Sequence, residues 1–274
     1  AGSIDSAKNL MKREAGVVDF EPLSGLFEDI AQRISFGAYV NRFEDIQPIF
    51  TYADLEQRHS EGLQFTTAGK FSDAISSFEW VLHAALFTVL QPGESIDALV
   101  DECRHYILGL KMELKRKELI ASSPGELEGS LATRVLELAC YFTCCQLRPE
   151  HLILALRSAM SLAFKLKQIS LAGRMAKRLI DVQPGESVSS QAHKVLAISS
   201  KSNSPDTLPV DFDDHLHFDL DAAIYKPIYP GAASSAASCP LCGALYGSNL
   251  SGTVCKICRV SQIGADSQGL QLHP

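Results

Sequence analysis

Ser60-Glu-Gly62-Leu63-Gln-Phe65-Thr-Thr-Ala68-Gly69-Lys70-Phe71-Ser-Asp73-Ala74-Ile75-Ser-Ser-Phe78-Glu-Trp80 is a run in which two helical stripes meet at Ala68-Gly69-Lys70. Apolar positions on both sides of that break recur at helical spacing, and glycine at the meeting point suits a sharp reversal. Gly62 and Ala74 are small, so two helices can approach closely there. The stretch predicts a helix hairpin.

The pattern resembles a tetratricopeptide repeat, in which a small residue and an aromatic precede a Gly-x-aromatic turn, and an alanine and an aromatic follow on the second helix. Ser170-Leu-Ala172-Gly-Arg-Met-Ala176-Lys-Arg-Leu179-Ile-Asp-Val-Gln-Pro184 repeats the second-helix half, closing proline included. Upstream, Leu23, Leu26, Phe27, Ile30 and Ile34 step by three and four behind Pro22, which predicts one amphipathic helix; residues 35–50 lack a sustained period and read as a connector. Between the two repeat-like stretches, helices are expected over about 95–119, 131–146 and, opened by Pro149, 149–167, with a Ser-Ser-Pro-Gly break at 122–125. Polar and small residues take over at Ser199-Ser-Lys-Ser-Asn-Ser-Pro205-Asp, which marks a linker. Beyond it the chain is rich in Pro, Gly, Ser and β-branched residues and reads as short extended segments. The expected fold class is therefore mainly α: a solenoid-like platform of tetratricopeptide-like helix hairpins, followed by a small β-rich, zinc-stapled C-terminal subdomain. Its expected parts are 1–50, an N-terminal helix and connector; 51–200, the helical domain; 201–210, a linker; and 211–274, the tail.

The 274 residues suffice for one large or two smaller domains, and 46% hydrophobic with 21% charged residues excludes wholesale disorder and fibrous architectures. With 25 basic against 32 acidic side chains, the net charge of −7 argues against a chain whose main task is neutralising phosphate backbones. The longest apolar stretches, such as Val81 to Leu90, are interrupted by His83 and Thr88, so no membrane span is expected. Ala1-Gly2-Ser3-Ile4-Asp5 has neither a basic region nor a hydrophobic one, which speaks against a secretory signal; Ala1-Gly2-Ser3 reads as a scar on a piece of something longer.

Four of the eight cysteines carry the chemistry: Cys239-Pro-Leu-Cys242-Gly243 and, after twelve intervening residues, Cys255-Lys-Ile-Cys258-Arg259. Each Cys-x-x-Cys puts two thiolates on one tight turn, and two such turns supply the tetrahedral sulfur set that structural zinc prefers. Cys239, Cys242, Cys255 and Cys258 are the expected ligands of one structural zinc ion. Gly243 falls where the turn needs unusual backbone angles, and Lys256 and Arg259 are placed to offset the net charge of a four-thiolate zinc centre. Four protein ligands leave no open position for a catalytic water. The competing readings are small buried thiols, a redox dithiol, which would want a βαβ setting that this segment lacks, and a disulfide framework, which would want a secretory context.

Blander readings fit the rest. Cys140, Cys144 and Cys145, among Leu136, Leu138, Phe142 and Leu147, are expected to be core, as is Cys103. His215 and His217 are candidate ligands of a second metal or simply half-exposed strand residues; Asp211, Asp213 and Asp214 read as a solvated or partner-facing acidic patch. Lys111, Lys115, Arg116 and Lys117, and again Arg174, Lys177 and Arg178, read as solvated faces or a surface for an acidic protein or lipid. No Gly-rich phosphate loop, Gly-x-Ser-x-Gly elbow or His-Glu-x-x-His occurs, so no catalytic site is expected.

Phe65-Thr-Thr-Ala-Gly-Lys-Phe71, Glu102-Cys-Arg-His-Tyr-Ile-Leu-Gly-Leu110, Tyr141-Phe-Thr143, Phe164-Lys-Leu-Lys167 and Ala176-Lys-Arg-Leu179 together resemble the C-terminal domain of coatomer alpha subunits. The tail sharpens the likeness with Phe218-Asp-Leu-Asp-Ala-Ala-Ile-Tyr225-Lys-Pro-Ile-Tyr229, Cys239-Pro-Leu, Gly243-Ala-Leu-Tyr246, Gly252, Cys255 and Ile263-Gly264-Ala-Asp266-Ser-Gln-Gly269-Leu270. Order and spacing match from about residue 60 onward. The resemblance implies a non-catalytic scaffold of the COPI vesicle coat in retrograde Golgi-to-endoplasmic-reticulum and intra-Golgi traffic, cytoplasmic and peripheral to Golgi membranes and coated vesicles. It implies as partners the other coatomer subunits and above all epsilon-COP, a tetratricopeptide solenoid that closes around a protruding β-hairpin; Phe218–Tyr229 and the Tyr246–Val254 connection are the candidates here. It implies neither nucleic acid nor a transmembrane segment. Zinc rests on the spacing in this sequence, because several family members keep only part of the cysteine set. The alternative from another class is a zinc-ribbon nucleic-acid factor with a helical interaction domain, against which the acidic balance weighs.

Overall fold

The computed structural model describes residues 4–39, 50–123, 125, 127–202, 205–233 and 236–267. They gather into two compact units, Ala1–Ile107 with Phe218–Pro274, and Leu108–His217. The first unit takes its residues from both ends of the chain.

In that unit, helices α1 (Ile4–Ala15) and α2 (Ser24–Tyr39) precede the predicted hairpin. Helix α2 runs past Gly37 into the expected connector, whose remainder, 40–49, lies outside the described residues. Helix α3 (Tyr52–Thr67) starts at a reciprocal cap: the Thr51 hydroxyl accepts from the Asp54 N–H at 3.3 Å, and the Asp54 carboxylate accepts from the Thr51 N–H at 2.8 Å. Helix α4 (Phe71–Ala84) follows after a turn in which Gly69 takes φ +73°, a conformation that favours glycine. The two helices pack as their small residues require: a Cβ on Gly62 would lie 2.7 Å from the Phe78 ring, and Ala74 is fully buried. Phe78 in turn stacks on Tyr106 of helix α5 (Asp97–Ala121), ring centroids 4.9 Å apart.

The tail contributes two small antiparallel pairs, β1 (Asp219–Leu220) with β2 (Pro227–Ile228) and β3 (Ala237–Ser238) with β4 (Leu245–Tyr246). The buried Asp221 carboxylate ties them together. It accepts backbone N–H bonds from Ala223 at 2.8 Å, Ile224 at 2.9 Å and Gly247 at 2.7 Å, so the β1–β2 loop and the end of β4 share one anion.

The second unit holds the later part of α5, then α6 (Gly129–Phe142), α7 (Pro149–Lys165), α8 (Ile169–Asp181) and α9 (Glu186–Lys201), each of α7 to α9 packed on the helix before it. Pro149 sits in the first turn of α7, where its missing N–H costs nothing. Gly109 admits α6 closely, since a Cβ there would meet the Phe142 ring at 2.5 Å. Residues 206–214 lie along this unit. Asp206 accepts from the first-turn N–H groups of Ser170 and Leu171 at 3.0 and 2.9 Å, capping α8 from a distance in sequence, and the Gln168 side chain accepts from Thr207 and Leu208.

The structure revises two surface expectations. Arg174 bonds Asp214 at 2.6 Å, Arg178 bonds the Thr143 hydroxyl and carbonyl at 2.7 and 2.8 Å, and Arg116 makes a two-pronged pair with Glu113 at 2.7 Å. These arginines hold structure together rather than forming a solvated basic face, and Asp214 is the counterpart of Arg174 rather than part of a free acidic patch. The Asp211 backbone is likewise engaged, its carbonyl accepting from the Tyr141 hydroxyl. For Asp214, burial opposes ionisation, but the hydrogen bond and charge of Arg174 outweigh it and hold the carboxyl below its ordinary value of 3.8. A carboxyl depressed in the folded state contributes stability above its unfolded pKa and loses it as pH falls through the folded one. Arg174→Met is therefore expected to lower the melting temperature most near neutral pH, with the gap to wild type closing below about pH 4; a gap independent of pH would refute the ion pair.

Candidate metal centre

The two Cys-x-x-Cys turns are built alike. The Gly243 N–H donates to the Cys239 carbonyl at 2.9 Å and the Arg259 N–H to the Cys255 carbonyl at 3.1 Å. The residue after each second cysteine is left-handed: Gly243 at φ +70°, as expected, and Arg259 at +64°. A non-glycine residue there costs about 1 kcal/mol, which the second turn accepts. Each turn is closed by a further bond from its first cysteine, Cys239 N–H to Ala244 and Cys255 N–H to Ser261, both at 2.9 Å.

This pairing brings all four predicted thiols together. Cys239, Cys242, Cys255 and Cys258 are buried, and their sulfurs lie within 4.8 Å of one another. The Cys239–Cys258 and Cys242–Cys255 sulfurs are 3.6 Å apart. Four sulfurs at zinc's usual bond length would form a tetrahedron with edges of about 3.8 Å. The donor set therefore fits a tetrahedral thiophilic cation and can hold a metal ion. The crowding is electrostatically asymmetric. Burial pushes the Cys242 thiol up; burial also opposes ionisation of Cys255, but hydrogen bonds from Cys239, Cys242, Cys258 and Tyr246 outweigh it and pull that thiol far below its usual range.

Sequence reasoning missed the frame around the thiols, because it comes from segments distant in sequence. Val17 bridges Ser261 in antiparallel fashion, the Val18 N–H donates to the Val260 carbonyl at 2.8 Å, and the Gln262 N–H donates to the Gly16 carbonyl at 2.8 Å. From α4, His83 Nε2 lies 2.6 Å from the Cys258 carbonyl. A carbonyl only accepts, so Nε2 carries the proton; burial keeps the ring below its ordinary pKa, partly offset by that bond. From α5, Arg104 donates to the Gly243 carbonyl at 2.8 Å. Arg259, expected to offset thiolate charge, faces Glu79 at 3.5 Å. The one local signal for this frame was Gly16, at φ +60°, where an added Cβ would sit 2.9 Å from Pro240 and 3.0 Å from Ala265. Gly16→Val joins an unfavourable backbone to a clash and is expected to cost about 3 kcal/mol. Urea unfolding measures it, and a loss under about 0.5 kcal/mol, the size of an ordinary surface change, would show that residues 16–19 do not depend on this packing.

Among the described residues, the remaining candidates converge only at Asp213, Asp214 and His215, whose ligand atoms lie within 4.8 Å of one another. Cys103 and Cys140 are buried in α5 and α6, whereas half-buried Cys144 and buried Cys145 lie in the turn after Phe142, past the end of the helix; burial raises the Cys103, Cys140 and Cys144 thiols. His215 lies in a turn near Asp213 and Asp214, not in a strand, and His217 does not join that group. The paired histidine site is not formed.

Stacked helix hairpins and a buried four-cysteine cluster able to hold a metal ion define a mainly helical protein with a double Cys-x-x-Cys module. The model of the family described as the C-terminus of the coatomer (COPI) alpha subunit matches residues 44–274, and the chain belongs to that family. Curated relatives include coatomer subunit alpha of Dictyostelium discoideum, 38% identical over 99% of this chain and 23% of that protein. Coatomer subunit alpha-1 of Arabidopsis thaliana is 31% identical over 100% of this chain and 24% of its own length. Coatomer subunit alpha of Saccharomyces cerevisiae is 30% identical over 100% and 24% respectively. The chain thus spans about a quarter of the length of these relatives. Among the described residues, no helix is long and apolar enough to cross a membrane.

Proposed function

We propose that this chain is a non-catalytic scaffold piece of the COPI vesicle coat that binds epsilon-COP and supports retrograde Golgi-to-endoplasmic-reticulum and intra-Golgi transport. The observation that carries the reading is the family match over residues 44–274. Other coatomer subunits are its further partners, and it works on the cytoplasmic side, peripheral to Golgi membranes and vesicles. The metal is one structural zinc ion held by Cys239, Cys242, Cys255 and Cys258: four sulfurs close the coordination sphere, so the ion braces the fold and activates no water.

The Phe218–Tyr229 hairpin is the element offered to the partner. Phe218 and Tyr229 brace its base, ring centroids 5.9 Å apart, Asp221 rigidifies the loop, and Ile224 is exposed at the tip. A braced loop with an apolar tip loses little entropy on insertion into a solenoid. Co-purification with epsilon-COP is expected to give a stable one-to-one complex that Ile224→Asp weakens. No complex at low or moderate salt would overturn the reading, and salt-sensitive binding to random DNA or RNA would replace it with a nucleic-acid role.

A further inference from the structure

We infer that Tyr246 is a positioning residue of the metal centre, its phenol donating a hydrogen bond to the Cys255 thiolate. The inference rests on the reading of the four cysteines as a zinc site. Tyr246 is fully buried, and its hydroxyl oxygen is 3.0 Å from Cys255 Sγ. The Lys256 backbone N–H donates to the same hydroxyl oxygen at 2.9 Å. A metal-bound thiolate has no proton to give, so with the amide already on its oxygen the phenol directs its own proton to the sulfur.

Cys255 also receives the Ile257 N–H at 3.3 Å, so two donors of different kinds converge on this sulfur. Four thiolates around a divalent cation leave two negative charges in a buried place, and donors aimed at sulfur disperse that charge and fix the ligand's direction. The fold sets the phenol there from both sides. Tyr246 pairs with Ala237 across the β3–β4 register, and Asp221 grips the N–H of the next residue, Gly247, at 2.7 Å. The hydroxyl thereby links strand β4, which follows the first cysteine turn, to the opening of the second turn.

The test compares wild type and Tyr246→Phe, which removes one oxygen from a ring of unchanged shape. Both are loaded with Co(II) and Zn(II), and folding at saturating metal is checked by circular dichroism. Wild type is expected to bind one ion tightly, and the variant to bind it about ten- to a hundred-fold more weakly. In the Co(II) form, loss of the donor is expected to move the sulfur-to-metal charge-transfer band to longer wavelength, a shift that a purely structural role would not produce. Wild type loaded with ¹¹³Cd gives a readout without mutation: the Tyr246 hydroxyl proton is expected to show scalar coupling to the metal through Cys255 Sγ. Metal-free wild type with intact thiols would overturn the zinc reading itself. Tight binding by both proteins with an unmoved band, or no coupling to ¹¹³Cd, would overturn the role of Tyr246 alone.

Discussion

On the proposed zinc reading, chelating the metal, or replacing Cys255 by serine, is expected to abolish the native packing of residues 16–19, α4 and the tail. The bonds that fasten these segments run through the cysteine turns: Val18 to Val260, Gln262 to Gly16, His83 to Cys258 and Arg104 to Gly243. The strands of the tail are two residues each, far too short to order a sheet without help. A structural zinc ion of this type contributes about 10–16 kcal/mol of apparent binding free energy, comparable to the whole stability of a domain. Hydrogen exchange should then show the Val18, Gly243, Arg259 and Gln262 amides losing protection together on metal removal and regaining it on zinc addition. Protection unchanged by a chelator that has demonstrably removed the metal would mean that the apolar contacts of Leu241, Ile257 and Val260 hold the turns unaided.

Truncating Phe78 to alanine is the second large effect expected. The ring is fully buried, fills the space left by Gly62, stacks on Tyr106 and lies beside His59 at 5.5 Å between ring centroids. Glycine across the interface has no side chain with which to refill the cavity, so relaxation is limited and a loss of about 3–5 kcal/mol is expected. Chemical denaturation would measure it. The paired variant Gly62→Leu, Phe78→Ala should recover part of the loss if the two positions share one space; full additivity of the single changes would show that they do not.

The hairpin illustrates how far local pattern reaches. Gly62, Gly69 and Ala74 act on neighbours within about twenty residues, so the turn and the close approach are legible in the sequence, while the burial of the Phe78 ring against Gly62 is a finding of the structure. The knuckles were legible for the same reason: Cys-x-x-Cys spacing is a property of a five-residue turn, and Gly243 takes the positive φ expected of it. Arg259 shows the limit. It occupies the matching left-handed position without being glycine, and its guanidinium faces Glu79, a partner that spacing within the tail could not reveal. Arg174 and Arg178 failed in the same way. A basic cluster on a helix looks solvated until Asp214 and Thr143 arrive from elsewhere in the chain.

Helical periodicity and cysteine spacing, both short-range, were therefore enough for a mainly helical platform with a four-thiol centre. The family likeness, too, was carried by local motifs in order. Which segments surround that centre is a different kind of fact. The tail from Phe218 onward joins residues 1–107 in one compact unit, while residues 108–217, between them in sequence, form the other. That choice depends on a glycine at 16 admitting Pro240, on a histidine proton meeting the Cys258 carbonyl, and on the Arg104 guanidinium reaching the Gly243 carbonyl. Each is a contact between groups whose separation along the chain carries no periodic signal, so only burial and hydrogen bonding in three dimensions could select it.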